Sequence, residues 1–255
     1  LSVLALLAFF AVENSKVDVK RAWFNEKLQA AELSAEAMEY LRTLRLEKGI
    51  VVDDINDPNE TLLIGQEYSP ITTDRGYIES KLTSLNPNFA AVVVQCLHDA
   101  GVEKGDNVAV AMTGSFPALN ISTIAALQTL GVNPLVITSV GASNYGANDP
   151  WFTWLDMEKA LKDAGIFHCQ SIAASCGGGN DLGRGLSPQG RDMIKDAILR
   201  NDIPLIHEKY LENSIAKRMD YYHENANNKP VAAYINIGGG IASLGSSING
   251  KIIPP

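Results

Sequence analysis

Cysteine is scarce in this chain, and its spacing excludes a disulfide framework. The 255 residues contain three cysteines, Cys96, Cys169 and Cys176, with no Cys-x-x-Cys pair and no zinc-type spacing. Cys96 and Cys169 fall in helix and strand patterns, so we expect buried, unreactive thiols there. Cys176 lies in a glycine-rich loop and is the better candidate for reactivity. The carboxylates and the 4 histidines form no metal-ligand pattern, and we expect no metal centre.

Positive charge is also in short supply. Lysine and arginine number 21 against 29 aspartates and glutamates, which gives a formal net charge of −8. Proteins that bind nucleic acid without sequence preference need a positive surface to displace counterions from the phosphates. The composition therefore predicts no nucleic-acid partner.

No nucleotide-binding motif is complete, so the sequence identifies no cofactor. A Walker A loop is missing. The turn Gly238-Gly-Gly-Ile-Ala-Ser-Leu-Gly245 has Ser243 where the dinucleotide fingerprint has its last glycine. Phosphate binding at this turn stays open.

The chain has no apolar run long enough to cross a membrane by itself, but it begins with a short one. Every residue from Leu1 to Val12 except Ser2 is apolar. A spanning helix needs about 20 such residues. We interpret residues 1–14 as the end of a truncated, uncleaved, single-pass membrane anchor, and a buried terminal helix is the alternative.

Two further segments precede the regular part of the chain. Residues 15–48 have helical periodicity and are predicted to form a stalk or packing helix that ends at Gly49. Residues 49–86 have little period and are predicted to be a long loop or a pair of short strands. Thr72, Thr73, Asp74 and Arg75 are its most chemically interesting members. A functional lid and a polar wrap around the core are both compatible with this composition.

Residues 87–255 alternate between strand and helix patterns, which predicts an α/β domain. The run Val108–Met112 is apolar without interruption, as in a parallel strand that is covered on both faces. Helices of crossover length separate the predicted strands, so we expect a mostly parallel, Rossmann-like open sheet with flanking helices. We take this domain to be incomplete at its C-terminus. The predicted strands are 108–113, 135–139, 169–174, 204–206 and 231–237.

Four strand-to-helix loops are predicted to meet at one edge of the sheet. They are residues 113–120, 141–150, 175–190 and 236–245, and each combines glycine with serine, asparagine or aspartate. Such loops let a backbone approach a ligand closely. The predicted ligand-contacting residues are Gly114, Asn120, Ser143, Asn144, Asp149, Asp181, Arg184, Gly238 and Gly239.

Ser115 is the candidate nucleophile, because it stands at the strand-to-helix turn of the first of these loops. A serine needs a base, and His207, at the end of a predicted strand, is the histidine best placed at the same edge. The Gly-x-Ser-x-Gly elbow is absent. Capping of the following helix, or a hydrogen bond to a ligand, is the alternative role for Ser115.

Arg184 lies between two glycines with little local packing to explain it. A guanidinium in that position suits recognition of an anion or a carboxylate. The alternative is an Asp181–Arg184 ion pair that stiffens the loop.

Six phrases are spread over most of the chain: Pro87-Asn-Phe-Ala-Ala91, Gly114-Ser-Phe-Pro-Ala-Leu-Asn120, Ser139-Val-Gly-Ala-Ser143, Gly146-Ala-Asn-Asp-Pro150, Phe152-Thr-Trp-Leu-Asp-Met157 and Gly183-Arg-Gly-Leu-Ser-Pro-Gln-Gly190. Together with the apolar N-terminal segment, they resemble the poly-gamma-glutamate system protein family. The resemblance implies an extracytoplasmic accessory of bacterial capsule synthesis or export. It also implies partners among the synthase and export subunits, and a glutamyl polymer or small anion as ligand. It implies no catalytic residues.

Three functions fit these observations. The first is hydrolysis or transfer at a glutamyl amide, with Ser115 attacking and Arg184 holding a carboxylate. The second is a scaffold without catalytic activity that binds the synthase or export subunits. The third is a module that binds a nucleotide or glutamate at the strand ends.

Overall fold

Five parallel strands form the central sheet of the chain. The computed structural model describes residues 1–17 and 19–245. Two short strands, β1 and β4, pair in parallel outside the central sheet. The strands are β1 Thr72–Asp74, β2 Asn107–Thr113, β3 Asn133–Ser139, β4 Ala142–Ser143, β5 Ala173–Ser175, β6 Leu205–Ile206 and β7 Val231–Ile237.

Helices flank this sheet on both faces and confirm the predicted α/β architecture. The described helices are α1 Ser2–Asn14, α2 Phe24–Glu47, α3 Ile78–Ser84, α4 Phe89–Asp99, α5 Pro117–Leu130, α6 Trp154–Asp163, α7 Pro188–Arg200, α8 Leu211–Asn225 and α9 Ile241–Leu244.

The strand order places a reversal of direction between β2 and β7. In space the order is β6-β5-β3-β2-β7, so the chain moves outward from β2 and then returns to its other side. The loops that leave β2 and β7 therefore diverge and open a crevice at the carboxyl ends of these two strands. Open α/β sheets bind their ligands at such a switch point.

Strand β2 is buried along its whole length because both of its faces are covered. Val108, Val110 and Met112 pack in the core that α2, α4 and α5 share, whereas Ala109 packs with Tyr222 of α8 on the opposite face. Alternate side chains of a strand point to opposite faces, and here both faces are apolar. Because both faces of β2 are buried, the run Val108–Met112 is apolar without interruption.

The predicted strand at 169–174 is shorter and later than expected. Strand β5 begins only at Ala173. The backbone N–H of Ser171 donates to the carboxylate of Glu158 at 2.8 Å, so it is not free to join the ladder with β3. A side chain from α6 thus takes the bond that a longer strand would need.

Helix α2 is shorter than the predicted 15–48 helix and packs on the domain. It begins at Phe24, after Trp23 adopts a left-handed φ of 56°. Ala30, Ala37 and Leu41 are fully buried against the helical layer of α4 and α5. Its contacts correspond to the packing alternative rather than to a stalk.

Helix α1 has none of its 13 residues buried. Within residues 1–17 and 19–245, no helix combines the length and the apolar character required to cross a bilayer.

The predicted long loop at 49–86 contains two elements, the short strand β1 and the helix α3, and the sequence does not predict the helix. Asn148, which is fully buried, fixes this segment to the domain. Its side chain accepts from the N–H of Gln66 at 2.9 Å and donates to Thr72 Oγ1 at 3.0 Å. The segment that carries α3 is thereby held against the carboxyl edge of the sheet.

Candidate functional site

A cleft of about 570 Å³ lies at the carboxyl edge of the sheet. All four predicted loops contribute to it, and the segment that contains β1 and α3 forms a further wall. The convergence that the sequence predicts is therefore observed. The lining residues are Thr73–Tyr77, Ser80, Lys81, Thr113, Ser115, Phe116, Ser139, Gly141, Ser143, Gly178, Gly179, Gly239–Ile241 and Gly245.

Lys81 of α3 is the chemically most unusual residue in the cleft. It is only 2% exposed, and its ammonium group lies 3.6 Å from the ring centroid of Phe116. Nζ donates to Ser143 Oγ at 2.8 Å and to the carbonyl oxygen of Ser115. No carboxylate in the described part of the chain forms an ion pair with it. Burial lowers the pKa of Lys81 from 10.5 to about 8.

Ser115 faces the cleft, but it does not cap α5. Its Oγ accepts from the backbone N–H of Ser143 at 3.0 Å. Helix α5 has Phe116 at its N-cap and no side-chain cap. The capping alternative for Ser115 was therefore wrong, because the loop after β3 comes close enough to supply another donor. The Ser115 hydroxyl proton stays available to a ligand.

The structure does not bring His207 to Ser115. His207 is exposed and follows β6, which is three strand positions away from β2. At the usual strand spacing this is a separation of about 14 Å across the sheet. His207 does not line the cleft, and Lys81 is the base candidate that the fold places there.

Asp181 and Arg184 do not form the ion pair that the sequence left open as an alternative. Asp181 is buried and forms an ion pair with Arg218 of α8, with its Oδ2 3.0 Å from Nη2. It also accepts from Ser175 Oγ at 2.6 Å. Arg184 is exposed and does not line the cleft, whereas Arg75 does.

Three other predicted ligand contacts fasten loops instead of lining the cleft. Asn120 donates from Nδ2 to the carbonyl of Thr113 at 2.9 Å and closes the turn after β2. Asn144 accepts from the N–H of Gly76 at 3.0 Å and donates to the carbonyl of Glu67. Asp149 accepts from the N–H of Trp151 at 2.9 Å in a turn. Ser143 and Gly239, by contrast, line the cleft.

Gly114 and Gly238 allow the loops to approach each other. A Cβ at Gly114 would lie 2.5 Å from the carbonyl oxygen of Val140. Gly238 has φ of 96°, and a Cβ there would overlap Thr113 Oγ1. Neither glycine lines the cleft, so each affects the shape of the cleft only through the backbone conformation of its loop.

The cysteines take no part in the cleft. Burial raises the pKa of Cys176 to about 11, so its thiol stays protonated and unreactive at neutral pH. Cys96 is exposed, and the prediction that it is buried was wrong. Its face of α4 points to solvent, while Ala90, Val94 and Leu97 take the buried face.

Lys81 and Arg218 are the residues that the sequence does not reveal. Lys81 lies in a segment without apolar periodicity, and Arg218 lies on the charged helix α8. Nothing near either residue in the sequence marks it as buried. Their positions follow from contacts that are distant in the sequence. Lys81 contacts Ser115 and Ser143, which are 34 and 62 residues away, and Arg218 contacts Asp181, which is 37 residues away.

Together these contacts place a base beside a hydroxyl. Neutral Lys81 can accept the proton of Ser143, the arrangement by which a weak nucleophile is activated. Helix α5 starts at Pro117, directly after the lining residues Ser115 and Phe116, so the positive end of its dipole lies next to the cleft. No cluster of potential metal ligands occurs in the described residues.

Gly76 packs so closely on Ser143 that a methyl group there should be costly. A Cβ at Gly76 would lie 2.8 Å from Ser143 Oγ and from the carbonyl oxygen of Asn144. We expect Gly76→Ala to lower the free energy of unfolding by about 1–3 kcal/mol, measured by chemical denaturation. Gly239→Ala is the control, because a Cβ there meets nothing within 4 Å. Its effect should stay within about 0.5 kcal/mol. Equal effects of the two variants would contradict the close contact.

No protein-family model, no curated protein and no solved structure matches this chain. The functional argument therefore starts from the cleft and from the residues of the sequence.

Proposed function

We propose that this protein is a membrane-associated accessory of poly-gamma-glutamate synthesis or export and that its cleft hydrolyses or transfers glutamyl amide bonds. The observation that carries the proposal is the 2.8 Å hydrogen bond between Lys81 Nζ and Ser143 Oγ at a buried position. The sequence phrases that resemble the family support the pathway, and the contacts of the cleft support the chemistry.

In the proposed reaction Ser143, rather than Ser115, is the nucleophile. Ser143 Oγ bonds to the amide carbon while neutral Lys81 takes the hydroxyl proton. The C–N bond then breaks as Lys81 returns this proton to the leaving amine, which leaves an ester on Ser143. Lys81 then takes a proton from water, and the resulting hydroxide bonds to the ester carbon. The C–O bond to Ser143 breaks as Lys81 returns the proton to Oγ, and an incoming amine can replace the water. The Ser115 hydroxyl, held by the Ser143 N–H, donates to the oxyanion.

Arg75 is the proposed recognition group for the free carboxylate of the glutamyl unit. It is exposed at the cleft, where a guanidinium can bind a carboxylate with two hydrogen bonds. Arg184, the residue that the sequence favoured, is on the neighbouring loop outside the lining.

Helix α1 supports the membrane association. Ten of its 13 residues, the consecutive run 3–12, are apolar and so cover all sides of the helix, and none of the 13 is buried. We propose that α1 contacts the membrane, because its exposed apolar surface is removed from water there. From the resemblance we also propose that the domain is extracytoplasmic and contacts the synthase or export subunits.

A second candidate, binding of an anionic ligand without chemistry, is favoured by the lack of a carboxylate partner for Lys81 among the described residues.

The two functions have opposite pH dependence. A general base works when it is deprotonated, so the rate of amine release from γ-glutamyl oligomers should rise with pH and reach half its maximum near pH 8. A cationic binding group works when it is protonated, so affinity for the oligomers should fall over the same range.

The experiment measures both quantities on one preparation between about pH 6 and about pH 10. Amine release is followed with a fluorogenic amine reagent, and binding is followed by calorimetry. Release that rises through pH 8 supports the hydrolase or transferase. Binding that weakens through pH 8 with no release of amine overturns the catalytic proposal and leaves the binding module.

A further inference from the structure

A second cavity, of about 510 Å³, lies on the face of the sheet that α8 covers. Helix α8, strand β7 and helix α9 form its walls, and Ala109 of β2 lies at its base. The proposed glutamyl chemistry does not use it, and its lining shares no residue with the cleft. Its volume is within the range of pockets that bind small molecules.

The walls of this cavity are apolar, and several of their side chains are exposed to solvent. Ile215, Met219 and Tyr234 are 40%, 47% and 49% exposed. The hydroxyls of the two lining tyrosines are already used, because Tyr222 donates to the carbonyl of Val110 at 3.1 Å and Tyr234 to that of Ser243 at 3.0 Å. An apolar ligand would remove these surfaces from water without leaving either tyrosine hydroxyl buried and without a hydrogen bond.

Apart from the tyrosines, the ionisable side chains that line the cavity are all basic. They are Arg218, His223 and Lys229, and no carboxylate of the described chain lines it. This is notable in a protein with a net charge of −8. Arg218 is 3% exposed, and its Nη1 has no hydrogen-bond partner among the described residues. Buried donors without a partner are rare, and each calls for an explanation such as a bound ion or water.

We propose that this cavity binds an aliphatic carboxylate. The alkyl chain lies against Ile215, Met219 and Tyr234, and the carboxylate is held by the basic side chains. Arg218 already pairs with Asp181, so the exposed Lys229 supplies the charge that selects an anion. The apolar walls select an aliphatic body over a sugar or a peptide. This site is independent of the cleft chemistry.

The test uses the intact chain and compares three amphiphiles with eight-carbon chains: octanoate, octanol and octyltrimethylammonium, each below its micellar concentration. Binding is measured by calorimetry and by the shift in melting temperature. We expect octanoate to bind at least about tenfold more tightly than octyltrimethylammonium, with octanol between them. Equal affinity of the anion and the cation, or no binding of octanoate, overturns the proposal.

Met219 offers a matched pair of variants, because it is half exposed and its replacement should not disturb the fold. Met219→Glu places a negative charge in the wall and should weaken octanoate binding by about tenfold or more. Met219→Leu keeps the apolar wall and should bind octanoate as the wild type does. An unchanged affinity in Met219→Glu, at an unchanged melting temperature of the free protein, overturns the placement of the site.

Discussion

Replacing Ser143 with alanine is expected to lower the rate of γ-glutamyl amide cleavage by a factor of about 10³ or more. The reason is that Ser143 Oγ is the hydroxyl in contact with Lys81 Nζ, at 2.8 Å. Binding of the oligomer should change little, because the variant keeps Arg75 and the other hydroxyl groups that line the cleft. Amine release and calorimetric binding, measured on the same variant, separate the two effects.

Ser115→Ala and Ser80→Ala are the matched controls for this prediction. Ser115 is the proposed oxyanion donor, so its loss should cost about 10²- to 10³-fold in rate. Ser80 is an exposed serine at the cleft, and its replacement should leave the rate unchanged. If Ser115→Ala is the more damaging variant, Ser115 is the nucleophile, as the sequence first indicated, and the assignment to Ser143 is wrong.

Lys81→Met is expected to abolish cleavage while leaving the protein at least as stable as wild type at pH 7. Methionine keeps the apolar body of the side chain and removes a buried ammonium group that no described carboxylate neutralises. Burying such a charge is costly, so its removal offsets the loss of the hydrogen bonds to Ser143 and Ser115. A gain in stability at the expense of function is typical of active-site groups.

The stability difference should depend on pH with a definite sign. The pKa of Lys81 in the folded protein is about 8, below its ordinary value of 10.5. Between these two values the unfolded chain binds the proton and the folded protein does not, so wild type gains stability as pH rises. The advantage of Lys81→Met should therefore be largest below pH 8 and shrink toward pH 10.5.

The exposed Lys104, remote from the cleft, supplies the control. Lys104→Met should change neither the rate nor the pH dependence of unfolding measured with denaturant. A Lys81→Met protein that retains cleavage, or whose stability relative to wild type does not vary with pH, contradicts the role of Lys81 as a buried base.

The sheet could be predicted from the sequence because its signals are local. The segment from β2 to α5 has a buried apolar run, a glycine turn and a proline in the first turn of α5, which extends over Pro117–Leu130. Strand β7 likewise has the predicted bounds 231–237. Helix α3 gives no such signal, because its 7 residues hold too few turns to show a period.

The cleft itself could be predicted, but the side chains that act in it could not. Parallel strands place their carboxyl ends at one edge, so the loops meet wherever the strands are identified. Which polar side chains face that edge depends on contacts distant in the sequence. Asn144 and Asp181 were chosen for their loop positions, yet one fastens Gly76 and the other pairs with Arg218.

Lys81 precedes strand β2 in the sequence, and Ser143 follows it. The hydrogen bonds of Asn148 with Gln66 and Thr72, here called the clasp, keep the two residues together. Segments held by a few polar contacts open at lower free energy than the core that they cover. Release of this clasp would separate base from hydroxyl while the five-stranded sheet remained folded. Heating would then abolish the proposed amide cleavage before it unfolds the domain.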